Sequence, residues 1–540
     1  MLPRRNFSTS VIVALATSSV AQAALNGHCP PLGPVLPAPT NPSTHDSLKS
    51  AINNIRDNFQ NLTAEFDSTG ISIAVKSVHE ASPLLELHHT PATLNPNKTT
   101  VIDSQTVYRL RSISKLFAAL SILQQNEMKM DDIVTQFVPE LLKLKGETDE
   151  TNDITTVRWN EVTLGALASH MSGIGTDLVN CLAIIPTDRT QVGLPQLNES
   201  SKPGCAGVLG LPPCNRTEFF RDFGKRHPVY VPFSLLKRRK RHSRAGGFYS
   251  NTLDLLSFGT GILQHIMLDQ AKTRKWMKPL TSTSSSGLLL GGPWEIIRSN
   301  NATKDKRLVE FYCKAGNLAS YNNELCLVPD YDLVITILSG GPESNADLIN
   351  LALPKIVQGL LPAIEDAGKS EAMSKFGGTY VDVTTNSTIT LFLDDASGFG
   401  VSDWAIRDVN IIENYAKFAA LSSSPTDQAI SVRLYPTNLF SDYRVAWRAV
   451  FDIGTPEQLA AKDADPFWPD ASCHTWGSMD RPTYGFRSLD EFIFELKNDQ
   501  SARSLNLKTF KIEIRVILIS ILIHFTYISI LLLTSRCWLF

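Results

Sequence analysis

Apolar residues fall into two regimes along this chain. Over residues 48–59 they recur at helical spacing, and 112–125 is a strongly apolar stretch that reads as a helix, with 107–110 as its short lead-in. Residues 71–78 (ISIAVKSV) alternate and read as a strand, while 334–338 is a β-branched and aliphatic run suited to a buried strand. Past Phe376 the pattern changes. Residues 379–383 and 388–393 read as strands around a turn with Asn386 and Ser387 at its tip, and short strand-like pieces continue to about Phe494. This predicts a mixed α/β (α+β) domain over 45–370, followed by a β-rich domain over 371–500.

The two ends fit neither regime. Residues 1–23 hold Arg4 and Arg5, a short apolar core at 11–16, and small residues at Ala21 and Ala23, which is the layout of a secretory signal peptide. Residues 24–44 are rich in proline and are expected to form an extended arm. A hydrophobic tail is drawn over 512–535; within it, 516–533 has no charge apart from His524 and is just long enough to cross a bilayer. Three readings of the tail stand side by side: a membrane anchor or removed anchor signal, translated non-coding sequence, and a buried element.

Charge and cysteine usage narrow the partners. A formal net charge of -2 gives no general attraction to nucleic acid. Beyond residue 23, six Asn-x-Ser/Thr sequons, at Asn61, Asn97, Asn198, Asn215, Asn301 and Asn386, agree with a eukaryotic secretory route and a secreted glycoprotein. Eight cysteines in an exported chain are expected to pair at least in part. Cys205 with Cys214 is the best candidate pair, and Cys313 with Cys326 suits a bridge between neighbouring strands. No Cys-x-x-Cys or His-x-x-x-His spacing suggests a metal, and no cofactor is expected.

The chemistry is carried by YRLRSISKLFAALSIL, residues 108–123. Ser112 and Lys115 are three apart, so a helix puts them on one face with the amine in reach of the hydroxyl. A helix start at Ser112 favours developing negative charge. A serine hydroxyl is a weak nucleophile until a base takes its proton, and a lysine is that base only when neutral. Taken alone, Ser-x-x-Lys reads more simply as an N-cap and a solvated first-turn lysine.

The surrounding sequence reverses that weighting. The stretch resembles the nucleophile helix of the serine β-lactamase and penicillin-binding protein superfamily, in its class C-like, esterase-like branch. VTLGALASHMSG at 162–173 resembles that branch's "LLSHTSGL" element. FYCKAGN at 311–317, followed by LVPD at 327–330, resembles the strand of its third motif and the turn after it. PWEI at 293–296 and the proline-rich arm resemble fungal exported members. The resemblance implies an antiparallel sheet flanked by helices, a helical subdomain, and an acyl-enzyme on Ser112 with Lys115 as base. It also implies an oxyanion hole from the N–H groups of Ser112 and Asn317. Lys314 and Gly316 would join Asn317 on the substrate side, Lys314 facing a substrate carboxylate or the lysine cluster. The implied substrate is a small-molecule ester or amide, possible secondary metabolites among them; a non-catalytic glycoprotein keeping the same fold is the alternative.

The family's catalytic tyrosine is harder to place. Tyr249-Ser250-Asn251 has the Tyr-x-Asn form, but its context, AGGFYSNTLDLLSFG at 245–259, resembles a different family element, the start of a downstream helix. The expected tyrosine follows a "PFS" phrase, which here is Pro232-Phe233-Ser234, and the chain then runs into the basic stretch KRRKRHSR at 237–244. Either a segment carrying the tyrosine is missing, or Tyr249 serves, or neither holds. His170 has no acidic partner or G-x-S-x-G elbow in the sequence and is read as structural. Cys313 is read as a packing or disulfide residue.

Overall fold

The computed structural model describes residues 30–94, 100–144, 154–175, 190–199, 202–205, 211–229, 247–317, 320–419, 430–468 and 470–516. The chain divides into two compact units: Thr40–Asn300 with Leu308–Leu360, and Leu361–Phe540 with Met1–Pro39 and Asn301–Arg307.

The strands of the first unit are β1 (Gly70–Ser77), β2 (Leu85–His89), β3 (Tyr108–Arg109), β4 (Tyr249–Ser250), β5 (Thr281–Ser282), β6 (Leu288–Leu290), β7 (Glu295–Ser299), β8 (Val309–Ala315), β9 (Tyr321–Val328) and β10 (Leu333–Gly340). β3 and β4 form a two-stranded ribbon. The others make one antiparallel sheet in the order β2-β1-β10-β9-β8-β7-β6-β5. β1 pairs with β10 along its full length, from Gly70↔Gly340 to Ser77↔Leu333. Both faces are covered, because consecutive residues of β10 from Leu333 to Ser339 are all buried.

Four helices matter here: α1 (Asp46–Thr63), α2 (Ser114–Gln124), α3 (Thr252–Leu263) and α4 (Ala346–Phe376). α1 buries Leu48, Ile55 and Phe59 along one face, as their spacing requires. α3 lies close on the sheet: a Cβ at Gly259 would stand 2.5 Å from Val334 Cγ1. Leu255, Leu256 and Ile262 of α3 share a core with Ile113, Leu116, Leu120, Trp294 and Leu327. Val134, Leu141, Trp159, Val162, Leu164 and Phe223 form a second, smaller apolar cluster.

The second unit is β-rich, with strands β11 (Gly378–Asp382), β12 (Ser387–Phe392), β13 (Phe399–Ile406), β14 (Val409–Asn410), β15 (Ile430–Ser441), β16 (Arg444–Ile453), β17 (Thr483–Tyr484), β18 (Arg487–Ser488), β19 (Glu491–Leu496), β20 (Ala502–Leu507) and β21 (Ile512–Val516). They run in the order β12-β11-β21-β20-β19-β16-β15-β13-β14, with β17 and β18 as a separate hairpin, and β12 also pairs β13. That extra pairing closes the sheet into a barrel, which leaves few open edges. Tyr380, Phe399, Trp404, Trp447, Phe492 and Phe494 fill it, with Phe376 from the end of α4 against Trp447 and Phe494.

The mixed architecture and the β-rich second unit are as the sequence pattern predicts. Two boundaries shift. Residues 512–516, drawn as the start of the apolar tail, are β21, paired with β20 and β11. Their side chains alternate buried and exposed, which is strand patterning. The break drawn at 371 falls inside α4, whose last turns belong to the second core. The rest of the tail and the signal region lie outside the described residues. Cys205–Cys214 and Cys313–Cys326 are disulfides; the second joins residues directly opposite on β8 and β9.

One ion pair fixes the barrel wall. Arg433, buried on β15, donates to both oxygens of Asp394 (2.9 and 2.6 Å) and to the carbonyl of Gly398 (2.9 Å). Burial opposes ionisation of Asp394, but the Arg433 hydrogen bond and charge outweigh it, so its carboxyl titrates below the ordinary carboxylate value. A depressed carboxyl stabilises the fold above that ordinary value, and the contribution is lost as pH falls through the carboxylate range. Asp394→Asn leaves a buried guanidinium unpaired and is expected to cost about 2 kcal/mol in denaturant unfolding of the full chain, reduced from a fully buried pair because Asp394 is partly exposed.

Candidate active site

The site grows from the step between β3 and α2. β3 ends at Arg109, and residues Arg111–Ile113 form a 3-10 turn before α2 begins at Ser114. The sequence pattern starts the helix at Ser112; the structure sets Ser112 inside the tighter turn, after a left-handed Arg111 (φ +54°). Buried Ile113 and Leu116 anchor this turn in the core. Half-buried Lys115 then reaches back along the helix face, and its Nζ lies 2.6 Å from Ser112 Oγ as hydrogen-bond donor. The predicted pair is therefore in contact.

Gly316 closes the turn from the sheet side. A Cβ there would lie 2.2 Å from the carbonyl oxygen of Leu110, so only a glycine lets the end of β8 approach the serine turn this closely. Its N–H donates to the carbonyl of Asn323 (2.8 Å). Asn323, 0% exposed on β9, also uses its side chain: Nδ2 donates to the carbonyls of Arg109 (3.0 Å) and Gly316 (3.2 Å), and Oδ1 accepts from Ser339 N–H (3.1 Å). One buried amide thus ties the residue leading into the serine turn, the glycine facing it and β10. Asn323 was not among the residues singled out from the sequence, and no local motif marks it.

Lys314 is 3% exposed and turned inward. Its Nζ donates to Glu295 Oε1 (2.8 Å) and to the carbonyl of Ala315 (2.9 Å), and Ala315 N–H donates to Glu295 Oε2 (3.3 Å). Glu295, from the PWE segment on β7, is equally buried. A buried pair of this kind balances itself, so the charge of Lys314 is matched within the protein. Asn317 follows Gly316 at the rim of the same crossing, and its side-chain oxygen has no hydrogen-bond partner among the described residues.

Tyr249 sits on β4, directly opposite Arg109 and 61% exposed. The Arg109 guanidinium lies 5.9 Å from its ring centroid. Asn251 caps α3, its Oδ1 accepting from Asp254 N–H (2.8 Å). The stretch 249–251 is thus a helix-start element. Tyr108, on the other strand of the ribbon, is buried and hydrogen-bonded to Ser72 (3.1 Å); burial pushes its phenol well above the ordinary tyrosine value. Residues 230–246, with the PFS phrase and the basic stretch, lie outside the described residues. His170 has a left-handed φ of +62° just past a short helix, Leu164–Ala168. Cys313 is in its disulfide. Cys313, Glu324 and Cys326 lie close enough together for a metal, but both sulfurs are bonded to each other.

Of the six sequon asparagines, Asn61, Asn198, Asn215, Asn301 and Asn386 are exposed, and Asn97 lies outside the described residues.

Two family models match the chain: "Beta-lactamase" over residues 59–180, which contains Ser112 and Lys115, and "Beta-lactamase-like-like, C-terminal domain" over 368–516. A beta-lactamase-like protein of Arthroderma benhamiae is 25% identical over 563 residues, covering 86% of this chain and 92% of the relative. A probable hydrolase, M10, of a Phoma species is 22% identical, with 93% of each chain covered. Among solved structures, a D-amino acid amidase from Ochrobactrum anthropi is 11% identical with a TM-score of 0.41, covering 58% of this chain and 99% of the amidase.

Proposed function

From a chain that carries a beta-lactamase domain, followed by the C-terminal domain of beta-lactamase-like proteins, we propose a secreted serine hydrolase that opens an ester or amide of a small molecule through an acyl-enzyme. The observation that carries the proposal is the 2.6 Å contact of Lys115 Nζ with Ser112 Oγ. With Lys115 neutral, its amine takes the Ser112 proton as Oγ attacks the substrate carbonyl. The oxyanion that forms is held by the backbone N–H groups of Ser112 and Asn317. Gly316 N–H is already donated to Asn323, which leaves Asn317 as the next donor on that strand end. The Lys115 ammonium returns the proton to the leaving group, and water releases the acyl group from Ser112. Tyr249, on the ribbon strand opposite Arg109, is the candidate to share the base role.

Secretion rests on the signal-like start, the Cys205–Cys214 and Cys313–Cys326 disulfides and the exposed sequons. The substrate class is a small extracellular compound, with secondary metabolites the first group to screen. The exposed position of Tyr249 favours one second reading, a glycoprotein that keeps the fold without turnover. A panel of p-nitrophenyl esters, anilides and β-lactams separates the two. The hydrolase reading expects turnover of at least one member, removed by prior treatment with a serine-directed fluorophosphonate. No turnover of any member would favour the second reading.

A further inference from the structure

The hairpin of β15 and β16 ends in a stretch that the barrel does not use. Residues 438–444 (NLFSDYR) are all exposed, with Leu439 at 66%, Phe440 at 80% and Tyr443 at 55%. Single exposed apolar residues are ordinary, and hairpin turns are normally polar. Leu439, Phe440 and Tyr443 fall within five residues and make a patch. The tip is also held in place. Arg444 Nε donates to both oxygens of Glu495 (2.9 and 3.0 Å), and Leu496 N–H donates to the Tyr443 carbonyl (2.7 Å).

Successive side chains of a strand point to opposite faces. Phe440 is opposite Val445, whose face packs on the barrel core, and Leu439 is opposite Ala446 on the other face. The ribbon is thus apolar on both faces where it leaves the barrel. A flat protein surface would cover one face only; the interfacial region of a bilayer surrounds both.

The register across the barrel shows what lies beside this tip. Ser441 pairs with Arg444, Arg444 with Glu495, Glu495 with Ser504, and Ser504 with Arg515. One row therefore runs from the hairpin to β21. Tyr443 and Val516 each lie one residue past that row, on the same side of it. In the order β16-β19-β20-β21 they are three strand spacings apart, about 14 Å. Past Val516 the sequence has no charge up to Leu533 apart from His524, an apolar length just sufficient to cross a bilayer. The apolar tip and the start of the apolar tail thus share one end of the barrel.

We propose that this end of the barrel docks on a lipid bilayer, with the tip of Leu439, Phe440 and Tyr443 entering the headgroup region beside the start of the tail. Asp442, the left-handed residue of the turn (φ +46°), keeps the insertion shallow, at the depth where a tyrosine ring is also at home. An exported chain held in this way works at the membrane surface. The proposal rests on the anchor reading of the tail and is independent of turnover at Ser112.

The experiment places the full chain in phosphatidylcholine nanodiscs, with plain or brominated acyl chains, and reads tryptophan emission. Phe440→Trp puts a reporter on the tip. Phe486→Trp puts one on the fully exposed turn between β17 and β18, which leads into the far end of β19. Both positions are exposed, so both variants should fold, and subtraction of the wild-type signal isolates each reporter. Emission from Phe440→Trp is expected to fall roughly twofold in the brominated discs, because the bromines quench a side chain ~5–10 Å into the headgroup boundary. Phe486→Trp should be unchanged. A chain that enters the discs but leaves Phe440→Trp unquenched shows that the tail anchors and the barrel end stands off, which overturns the proposal while the anchor reading survives. A chain that does not associate with the discs overturns both. Equal quenching of the two reporters overturns the assignment of the docking face. A Phe440→Trp reporter that is already shielded in lipid-free buffer, increasingly with protein concentration, reports a second copy on the tip and overturns it too.

Discussion

Lys115→Met is expected to lower kcat/KM on any substrate the chain turns over by about a thousandfold, within the range for loss of a general base. Methionine keeps the length and apolar stem of lysine, so α2 and its packing should be preserved. What it removes is the nitrogen 2.6 Å from Ser112 Oγ. The loss should fall mainly in kcat, because an interaction with the reacting hydroxyl counts in the transition state rather than in ground-state binding. Labelling of Ser112 by a fluorophosphonate should slow in parallel. A Lys115→Met protein that folds normally and keeps wild-type kcat would show that another group is the base.

Gly316→Ala is expected to impair turnover by a different route. The new methyl group would lie 2.2 Å from the Leu110 carbonyl oxygen and 3.2 Å from Ile113 Cγ1. The Leu110 backbone must yield by about an ångström, and what yields is the turn that holds Ser112. Displacing a reacting group by about 1 Å costs on the order of 100-fold in rate. The substituted strand end also carries the Asn317 N–H, so the oxyanion position shifts with the nucleophile. Stopped-flow acylation with thermal unfolding on the same samples checks this. Unaltered acylation in a folded Gly316→Ala protein would mean that the close approach of β8 is incidental.

The parts of this site that are readable from the sequence are the local ones. Ser112 and Lys115 meet because three residues on a helix is a fixed geometry. Cys313 and Cys326 bridge because a strand, a short connection and a returning strand place them opposite each other. Asn323 was not readable, since its side chain joins residues 7, 16 and 214 positions away, and only the folded sheet brings them together. The partner of Lys314 is similar: Glu295 is 19 residues back, and only the β7–β8 pairing makes it a neighbour. The cation expected to face the substrate is thus internally matched. In the second unit the alternation of strands was visible, but closure was not. It depends on β12 meeting β13 as well as β11, and on β21 entering the barrel from what reads as the start of an apolar tail.

The central claim is that Ser112 is the nucleophile. Its most direct measurement is mass mapping of the adduct left by a fluorophosphonate or by a slowly released ester. The account predicts a single added mass on the peptide that holds Ser112, absent from Ser112→Ala. An adduct mapped to another residue, or one that persists in Ser112→Ala, would contradict it.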